Sequence, residues 1–437
     1  MQRVNVIGGG LAGCEAAYQL KKYGIPVRLF EMKPQKMTPA HSCLELAELV
    51  CSNSLRSDRL ANAVGLLKQE MRELGSLIMK AADATRVPAG GALAVNREDF
   101  SAFITEEIER TIELVREEVT DFSAFDPKEP VIVAAGPLAS ASLMDAVRGL
   151  TGDSCLHFFD AAAPIVSAQS IDQEKIFIAS RYDRGSDYVN CPLTREEYDT
   201  FYHALVSAER APLKGFENAA VFEGCMPVET MAARGYDTLL FGPLKPVGLT
   251  DPKTEKRPHA VVQLRMEDAE GTMFNMVGFQ TNLKFKEQRR VFGLIPALKN
   301  AEFLRYGVMH RNTFLKSPGL LDRYYRLKDY PTIRFAGQIT GVEGYVESAA
   351  SGLLCGVFTA FEVMGKPLPV FDNSTAAGAL ALHVSGSVSK DFQPMNISYG
   401  IMRPLERQVH AKEERNMKIA MRSLTEISNI KSKYGLK

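Results

Sequence analysis

Three groups of residues in this chain have the types and spacing to do chemistry. The first is Gly8-Gly9-Gly10-Leu11-Ala12-Gly13, a G-x-G-x-x-G pattern that follows an apolar β-rich run and opens a run with helical spacing. In that context Gly8 permits a tight turn, Gly10 lets backbone approach a pyrophosphate, and Gly13 lets the helix pack closely on the strand. The helix N-terminus then offers unpaired N–H groups to phosphate oxygens. Glu31 ends the next strand, Val27-Arg28-Leu29-Phe30, where an acid accepts hydrogen bonds from ribose hydroxyls. The motif alone is compatible with FAD, NAD and S-adenosylmethionine, each of which presents an adenosine. The second group is another glycine-rich turn, Phe335-Ala336-Gly337-Gln338-Ile339-Thr340-Gly341-Val342-Glu343-Gly344-Tyr345, again between a strand and a helix. The third is the set of seven cysteines, scattered and with no pair at the close spacing of a zinc site, so no metal centre is expected.

The elements that must position these residues follow from the hydropathy pattern. The chain has 437 residues, 46% of them hydrophobic, enough for a large core and more than one domain. Residues 4–7 read as a strand, 11–23 as a helix stopped at Gly24, and 27–30 as the second strand. Residues 59–80 and 97–118 are predicted helical, the latter entered at Asn96-Arg97-Glu98. Residues 131–135 form a short buried strand ending at Gly136-Pro137. This strand–helix alternation predicts an α/β parallel sheet. From about residue 160 the texture changes to aromatics, prolines and alternating runs, as in Ala260-Val261-Val262-Gln263-Leu264, which predicts a mixed or antiparallel insertion. Near Ile333 the α/β style returns, and the last 25 residues read as an amphipathic surface helix. No apolar run reads as a membrane span, no signal peptide is visible, and scattered cysteines suit a reducing cytoplasm. Lys+Arg and Asp+Glu both number 52, so a nucleic-acid partner requires a local basic patch.

The second glycine turn resembles the second flavin motif of two-dinucleotide flavoproteins, in which a helix N-terminus faces the ribityl chain and the pyrimidine edge of the isoalloxazine. Most such proteins carry Asp after the glycine; Gln338 stands there instead, as in the tRNA-modifying branch. Longer blocks carry a closer resemblance. They are Glu48-Leu49-Val50-Cys51-Ser52-Asn53-Ser54-Leu55-Arg56-Ser57, Leu60-Ala61-Asn62-Ala63-Val64-Gly65, Val87-Pro88-Ala89-Gly90-Gly91-Ala92-Leu93-Ala94-Val95 and Phe222-Glu223-Gly224-Cys225-Met226-Pro227. To these add Phe241-Gly242-Pro243-Leu244-Lys245-Pro246-Val247-Gly248-Leu249, Arg305-Tyr306-Gly307-Val308-Met309-His310-Arg311-Asn312-Thr313 and residues 337–352. Together they resemble the folate- and FAD-dependent tRNA uracil-5 methyltransferases (TrmFO), a GidA-related family, from residue 4 to about 365.

The resemblance implies a Rossmann-like, glutathione-reductase-like FAD-binding domain over residues 1–160 and 326–437, interrupted by a mixed α/β insertion over 161–325. It implies FAD held by Gly8, Gly9, Gly10, Leu11, Ala12, Gly13, Glu31, Gly337, Gln338, Gly341, Gly344 and Tyr345. It also implies 5,10-methylenetetrahydrofolate as one-carbon donor, NADPH or NADH as reductant, and the T-loop of tRNA as substrate, methylated at carbon 5 of uridine 54. Carbon 5 of uracil is a poor nucleophile. A thiolate added to carbon 6 makes the ring an enolate that attacks an electrophilic methylene, and a base then removes the carbon-5 proton. By resemblance Cys225 is the nucleophile and Cys51 the base, with the order of roles open; Cys14 and Cys355 read as small core residues. Tyr345 is compatible with ring stacking or with core, the Gly90-Gly91 loop with close approach to the flavin or a plain turn, and His310 and Arg311 with RNA or folate contact or a structural cluster. Two basic clusters, Lys284, Lys286, Arg289 and Arg290 and then Arg323, Arg326 and Lys328 with Tyr324 and Tyr325, suit RNA or a solvated face. Four alternatives share the cofactor motif: a GidA/MnmG-like wobble-uridine enzyme, the same chemistry on ribosomal RNA, a small-molecule flavin oxidoreductase, and a non-catalytic RNA-binding flavoprotein.

Overall fold

The structure, a computed structural model, describes residues 2–38, 40–152, 155–183, 185–211, 226–268, 270–386 and 392–437. The chain opens with β1 (Val4–Ile7), α1 (Leu11–Lys22), β2 (Val27–Phe30), β3 (Ser54–Ser57), α2 (Ala63–Glu73), α3 (Leu77–Ala84), β4 (Arg86–Val87) and β5 (Ala92–Val95). It continues with α4 (Arg97–Thr111), β6 (Glu113–Val115), β7 (Val131–Val133), α5 (Ala141–Thr151) and β8 (Cys155–Ala161). Then come β9 (Ile165–Ser167), β10 (Phe177–Ile178), β11 (Tyr188–Leu193), α6 (Arg195–Val206), α7 (Val228–Ala233), α8 (Thr238–Phe241), β12 (Ala260–Met266) and β13 (Met273–Met276). The last part holds α9 (Phe285–Phe292), β14 (Phe303–Arg305), β15 (Met309–Leu315), β16 (Ile333–Phe335), α10 (Tyr345–Val363), α11 (Ala376–Gly386) and α12 (Lys412–Tyr434).

Five of these strands form an all-parallel sheet in the order β16-β7-β1-β2-β6. Strands β1, β7 and β16 are buried at every position, as a sheet covered on both faces requires. Because β16 docks beside β7 from far down the chain, this unit is built from both ends of the described sequence. Between β7 and β16 lies a six-stranded antiparallel sheet, β10-β11-β12-β13-β9-β14, with its own core around Tyr198, Phe201, Phe279 and Phe292. The antiparallel pair β8–β15 carries the chain out of the parallel-sheet unit and back into it. The fold is therefore the expected mixed α/β one, a parallel dinucleotide-binding sheet with an inserted antiparallel sheet.

Two predicted helices are corrected. Residues 59–80 form two helices, because Gly75 adopts φ 69° and Ser76 starts a new N-cap, its hydroxyl accepting from Met79 N–H at 3.1 Å. The buried Glu15 carboxylate fixes that break by accepting from Ile78 N–H at 2.9 Å and the Ser76 hydroxyl at 2.6 Å. The helix predicted over 97–118 is capped by Asn96 as expected but ends at Thr111. Ile112 turns extended, and residues 113–115 pair with the open edge of β2. The C-terminal helix α12 is amphipathic, with Ile419, Ala420, Ile427 and Ile430 buried. It is tied to α2 and α11 by Glu70, which accepts from Ser423, Ala376 N–H and Ala377 N–H; burial pushes that carboxyl up to about 7.

The helix α10 is long and apolar enough to cross a membrane by composition, an exception to the sequence reading. It is the core helix, buried continuously from residue 346 to 361. Its glycines explain how it packs. A Cβ on Gly352 would lie 2.2 Å from the Ala12 carbonyl oxygen of α1, and one on Gly356 2.6 Å from the Ala16 carbonyl oxygen. Spaced one helical turn apart on each partner, these residues let the two helices touch backbone to backbone. Gly352→Ala is expected to cost about 1–3 kcal/mol by chemical denaturation, the range for overpacking a tight core. Gly149→Ala, at an exposed site on α5 where a Cβ meets nothing, should stabilise by up to about 1 kcal/mol. Equal stability of the two variants would contradict the close contact.

Candidate functional site

The α1–α10 contact brings both glycine turns to one open cleft. Gly8, at φ 106°, has no room for a side chain: a Cβ would lie 2.5 Å from the Ala134 carbonyl oxygen. A Cβ on Gly13 would meet the Gly8 carbonyl oxygen at 1.8 Å, so Gly13 stands behind the wall and seats α1 on the turn. Gly10 differs. No protein atom lies within 4 Å of a Cβ there, so its lack of side chain keeps space open at the start of α1, where Leu11 and Ala12 also line the cleft. Glu31 accepts from Gly9 N–H at 2.8 Å and Lys33 N–H at 2.9 Å, joining the end of β2 to the first turn while facing the cleft.

The second turn supplies the opposite wall through Gly337, Gln338, Tyr345 and Ser348. Gln338 is oriented by donating to Glu343 at 2.7 Å, and Gly337 N–H donates to Ser351 at 2.7 Å. Gly341 and Gly344 do not line the cleft. Gly341, at φ 86°, packs under the Phe392 ring, and Gly344, at φ 105°, starts α10 against Glu347 and Arg56. The Gly90-Gly91 loop is also absent from the lining. Gly90 N–H donates to Asp187 at 2.5 Å and Tyr188 donates to the Ala89 carbonyl at 3.1 Å, so this loop ties the inserted sheet down. Sequence reasoning missed the segment after β7, residues 136–140, and the pair Thr38 and His41, which line the cleft; only the Gly136-Pro137 turn signalled the former.

Cys51 sits at the edge of this cleft, between Val50, which lines it, and the β3 strand. The Tyr345 phenol oxygen accepts from Cys51 N–H at 2.8 Å, and Cys51 Sγ lies 2.9 Å from the same oxygen. Either atom of that pair can donate to the other. Burial, and then the adjacent Cys51, hold the Tyr345 phenol well above its ordinary value, so it keeps its proton.

Three arginines from distant segments clamp the same loop, and nothing local in the sequence announced them. Arg97 donates to the Leu49 carbonyl at 2.6 Å and pairs with Glu267 at 2.6 Å. Arg305 donates to the Val50 carbonyl. Arg265 donates to the Ser52 hydroxyl at 2.8 Å and Asn53 Oδ1 at 3.0 Å. Burial lowers Arg265 against the opposing pull of Glu267, and lowers Arg305 with help from the Arg97 charge. For Arg97 burial is the largest influence, yet the Glu267 carboxylate and its other neighbours reverse it and the net shift is upward. Each of the three guanidinium groups interacts electrostatically with Cys51.

Cys225 lies outside the described residues. Its described neighbour Met226 is buried, and Val228 N–H donates to the Gln280 carbonyl at 2.7 Å. Cys14 and Cys355 are fully buried, as is Cys191, and burial pushes all three thiols up, the latter two to about 12. His310 and Arg311 lie on β15, with side chains outside the described set. The Arg323–Lys328 cluster is engaged by contacts within the protein. Arg326 pairs with Asp322 and Glu362, Arg323 donates to the Phe371 carbonyl at 2.6 Å, and Tyr325 is 1% exposed. Among the described residues no cluster could hold a metal ion.

This two-turn cleft on a parallel sheet defines a dinucleotide-binding protein of the GidA fold. Two crystal forms of Aquifex aeolicus GidA superpose with TM-scores of 0.70 and 0.71 at 16% identity, covering 98% of this chain and 73% and 76% of theirs. The family model described as "Glucose inhibited division protein A" matches residues 3–367. A methylenetetrahydrofolate–tRNA-(uracil-5-)-methyltransferase TrmFO of Acetivibrio thermocellus is 60% identical over 436 residues, 99% of each chain. The TrmFO proteins of Heliobacterium modesticaldum and Geobacter sulfurreducens are 58% and 57% identical, covering 96% and 98% of this chain. The chain belongs to the TrmFO family, within the GidA group.

Removing the Glu267 carboxylate would strand Arg97 as a buried charge. Glu267→Ala is expected to cost about 3–5 kcal/mol in urea unfolding, and the double variant Arg97→Met/Glu267→Met much less. A single variant no less stable than the double would contradict the coupling of this pair.

Proposed function

We propose that the chain methylates carbon 5 of uridine 54 in the tRNA T-loop, with 5,10-methylenetetrahydrofolate as one-carbon donor, FAD in the cleft and NADPH or NADH as reductant. The observation that carries this reading is the position of Cys51, 2.9 Å from the hydroxyl of a tyrosine that lines the dinucleotide cleft, within a loop clamped by three arginines. The names of relatives that share at least 55% of its residues over nearly its whole length supply the substrate class.

The residues present fit FAD. Space is kept open at Gly10, the N-terminus of α1 faces it, Glu31 stands at the ribose position of the motif, and Gln338 and Tyr345 come from the second turn. Bound there, FAD would act as carrier and reductant for the one-carbon unit. The protein's own contribution is proton and thiol chemistry. Cys225, carried over from the family block at residues 222–227, adds as thiolate to carbon 6 of the uracil and pushes electron density onto carbon 5. Carbon 5 then bonds to the one-carbon unit. Cys51, as thiolate, takes the carbon-5 proton, the bond from the one-carbon unit to its carrier nitrogen breaks to leave an exocyclic methylene, and two electrons and a proton that reduced flavin would supply turn it into methyl as the carbon 6–sulfur bond breaks to restore the ring. The three guanidinium charges stabilise the Cys51 anion before the proton arrives, and the Tyr345 hydroxyl, which stays protonated, directs the sulfur. The arginine clamp fixes the loop carbonyls and so keeps the thiol at the cleft edge.

Purified protein incubated with unmodified tRNA, NADPH and methylenetetrahydrofolate labelled in the methylene carbon is expected to place label in 5-methyluridine at position 54. Cys51→Ala and Cys225→Ala are each expected to lower transfer by at least about 100-fold, the general range for loss of acid–base or nucleophilic help, while retaining flavin. Label in ribosomal RNA alone would move the substrate, and transfer undiminished in either variant would remove that cysteine from the mechanism.

A further inference from the structure

The first basic cluster carries a feature that its charges alone do not explain. Phe285, the first residue of α9, is 54% exposed, and its ring lies 4.7 Å from that of Tyr306 at an interplanar angle of 16°. Tyr306 in turn stacks on Phe303 at 5.5 Å and 10°, and Phe303 leans on the buried Phe292. The rings form a column rooted in the core of the inserted sheet, with Tyr306 in the middle and Phe285 as the outermost plate. A half-exposed phenylalanine at the end of a parallel stack is the geometry that a nucleobase continues, because every base presents a π-face.

The charges around it sort into two kinds. Lys284 pairs with Glu209 at 2.6 Å and Arg290 with Glu287 at 2.6 Å, so both are largely neutralised. Arg289 donates to the Tyr306 hydroxyl at 2.9 Å, which fixes the middle ring. Neither Arg289 nor Lys286, which follows Phe285 directly, forms an ion pair among the described residues. Two cations therefore stand on the helix that Phe285 begins, in a chain whose total charge is zero. The column also stands close to the chemistry along the chain. Tyr306 follows Arg305, which holds the Val50 carbonyl beside Cys51, and Gln280 and Asn282, just before α9, receive the N–H groups of Val228 and Ala211.

We propose that Phe285 is a stacking platform for an unpaired base of the RNA substrate, held over the Phe285–Tyr306–Phe303 column while Lys286 and Arg289 take the adjacent phosphates. This rests on the reading of the chain as an RNA methyltransferase, and the test separates the two. The chain contains no tryptophan, so Phe285→Trp places a single reporter on the platform. Its emission is expected to be quenched on titration with unmodified tRNA. Phe285→Ala is expected to raise KM for tRNA on the order of 10-fold, with kcat within about twofold, with Phe285→Tyr restoring KM. Arg289→Ala should flatten the salt dependence of binding by about one counterion. Flavin content and its reduction by NADPH report that each variant is folded. Unchanged tryptophan emission in a complex seen by gel shift, together with an unchanged KM for Phe285→Ala, would overturn the platform alone. A concentration-dependent dimer dissolved by Phe285→Ala, with RNA affinity intact, would assign the face to a second copy and overturn it as well. Wild-type protein that neither binds nor methylates RNA would instead overturn the underlying reading.

Discussion

The backbone contact between α1 and α10 is the constraint on which the rest of the structure depends. Each helix begins in a glycine turn at the end of a parallel strand, and each turn alone is only half of a dinucleotide site. The two become one cleft because Gly352 and Gly356 allow α10 to rest on the carbonyls of Ala12 and Ala16, and because Gly337 approaches the Ala12 methyl closely. A methyl group at any of these contacts would have to displace backbone and could not be absorbed by a side-chain rotation. The same contact explains why a helix apolar enough for a membrane belongs in the centre of this fold. It is surrounded on all sides by other elements and has no polar face to offer solvent.

Around that rigid centre the active-site loop is held by charge. Withdrawing guanidinium groups from water is costly, and Arg265 is 6% exposed and the Arg97 side chain 15%. The cost is offset because each makes directed hydrogen bonds to loop carbonyl or side-chain oxygens, and Arg97 also meets Glu267. Since Arg265 and Arg305 come from the inserted sheet and Arg97 from the parallel-sheet unit, the loop is fixed by both at once. A displacement of one unit relative to the other would move the Cys51 thiol away from Tyr345. Placement of the thiol is thereby coupled to the seating of the two units.

The parts of this arrangement that are local in sequence were legible there. Gly10 and Gly13 each do a job set by near neighbours, Glu31 falls at the end of its strand, and the second turn announces itself by glycine spacing before an apolar helix. Asn96 was legible as a helix cap for the same reason. Features that depend on distant partners were not. The break at Gly75-Ser76 is fixed by Glu15 from another helix, and residues 113–115 are drawn into a strand by the open edge of β2. Gly341 and Gly344 have the right spacing but face Phe392 and Glu347 instead of the cleft. The three arginines meet only in the folded chain. The same limit explains the basic clusters: similar runs of charge became a half-exposed ion-pair network in one place and the surroundings of an aromatic column in the other.

The central claim is that the two turns hold one FAD over the space left open at Gly10, and flavin occupancy of Gly10→Leu tests it most directly. The backbone at Gly10 has φ −79°, which any residue adopts, and its Cβ direction meets no protein atom, so the variant should fold as the parent does. The account predicts visible flavin absorbance of about one FAD per chain in the parent and little or none in a fully folded Gly10→Leu, since the leucine would fill the position the pyrophosphate needs. A folded variant that keeps the parent's full flavin content would contradict it.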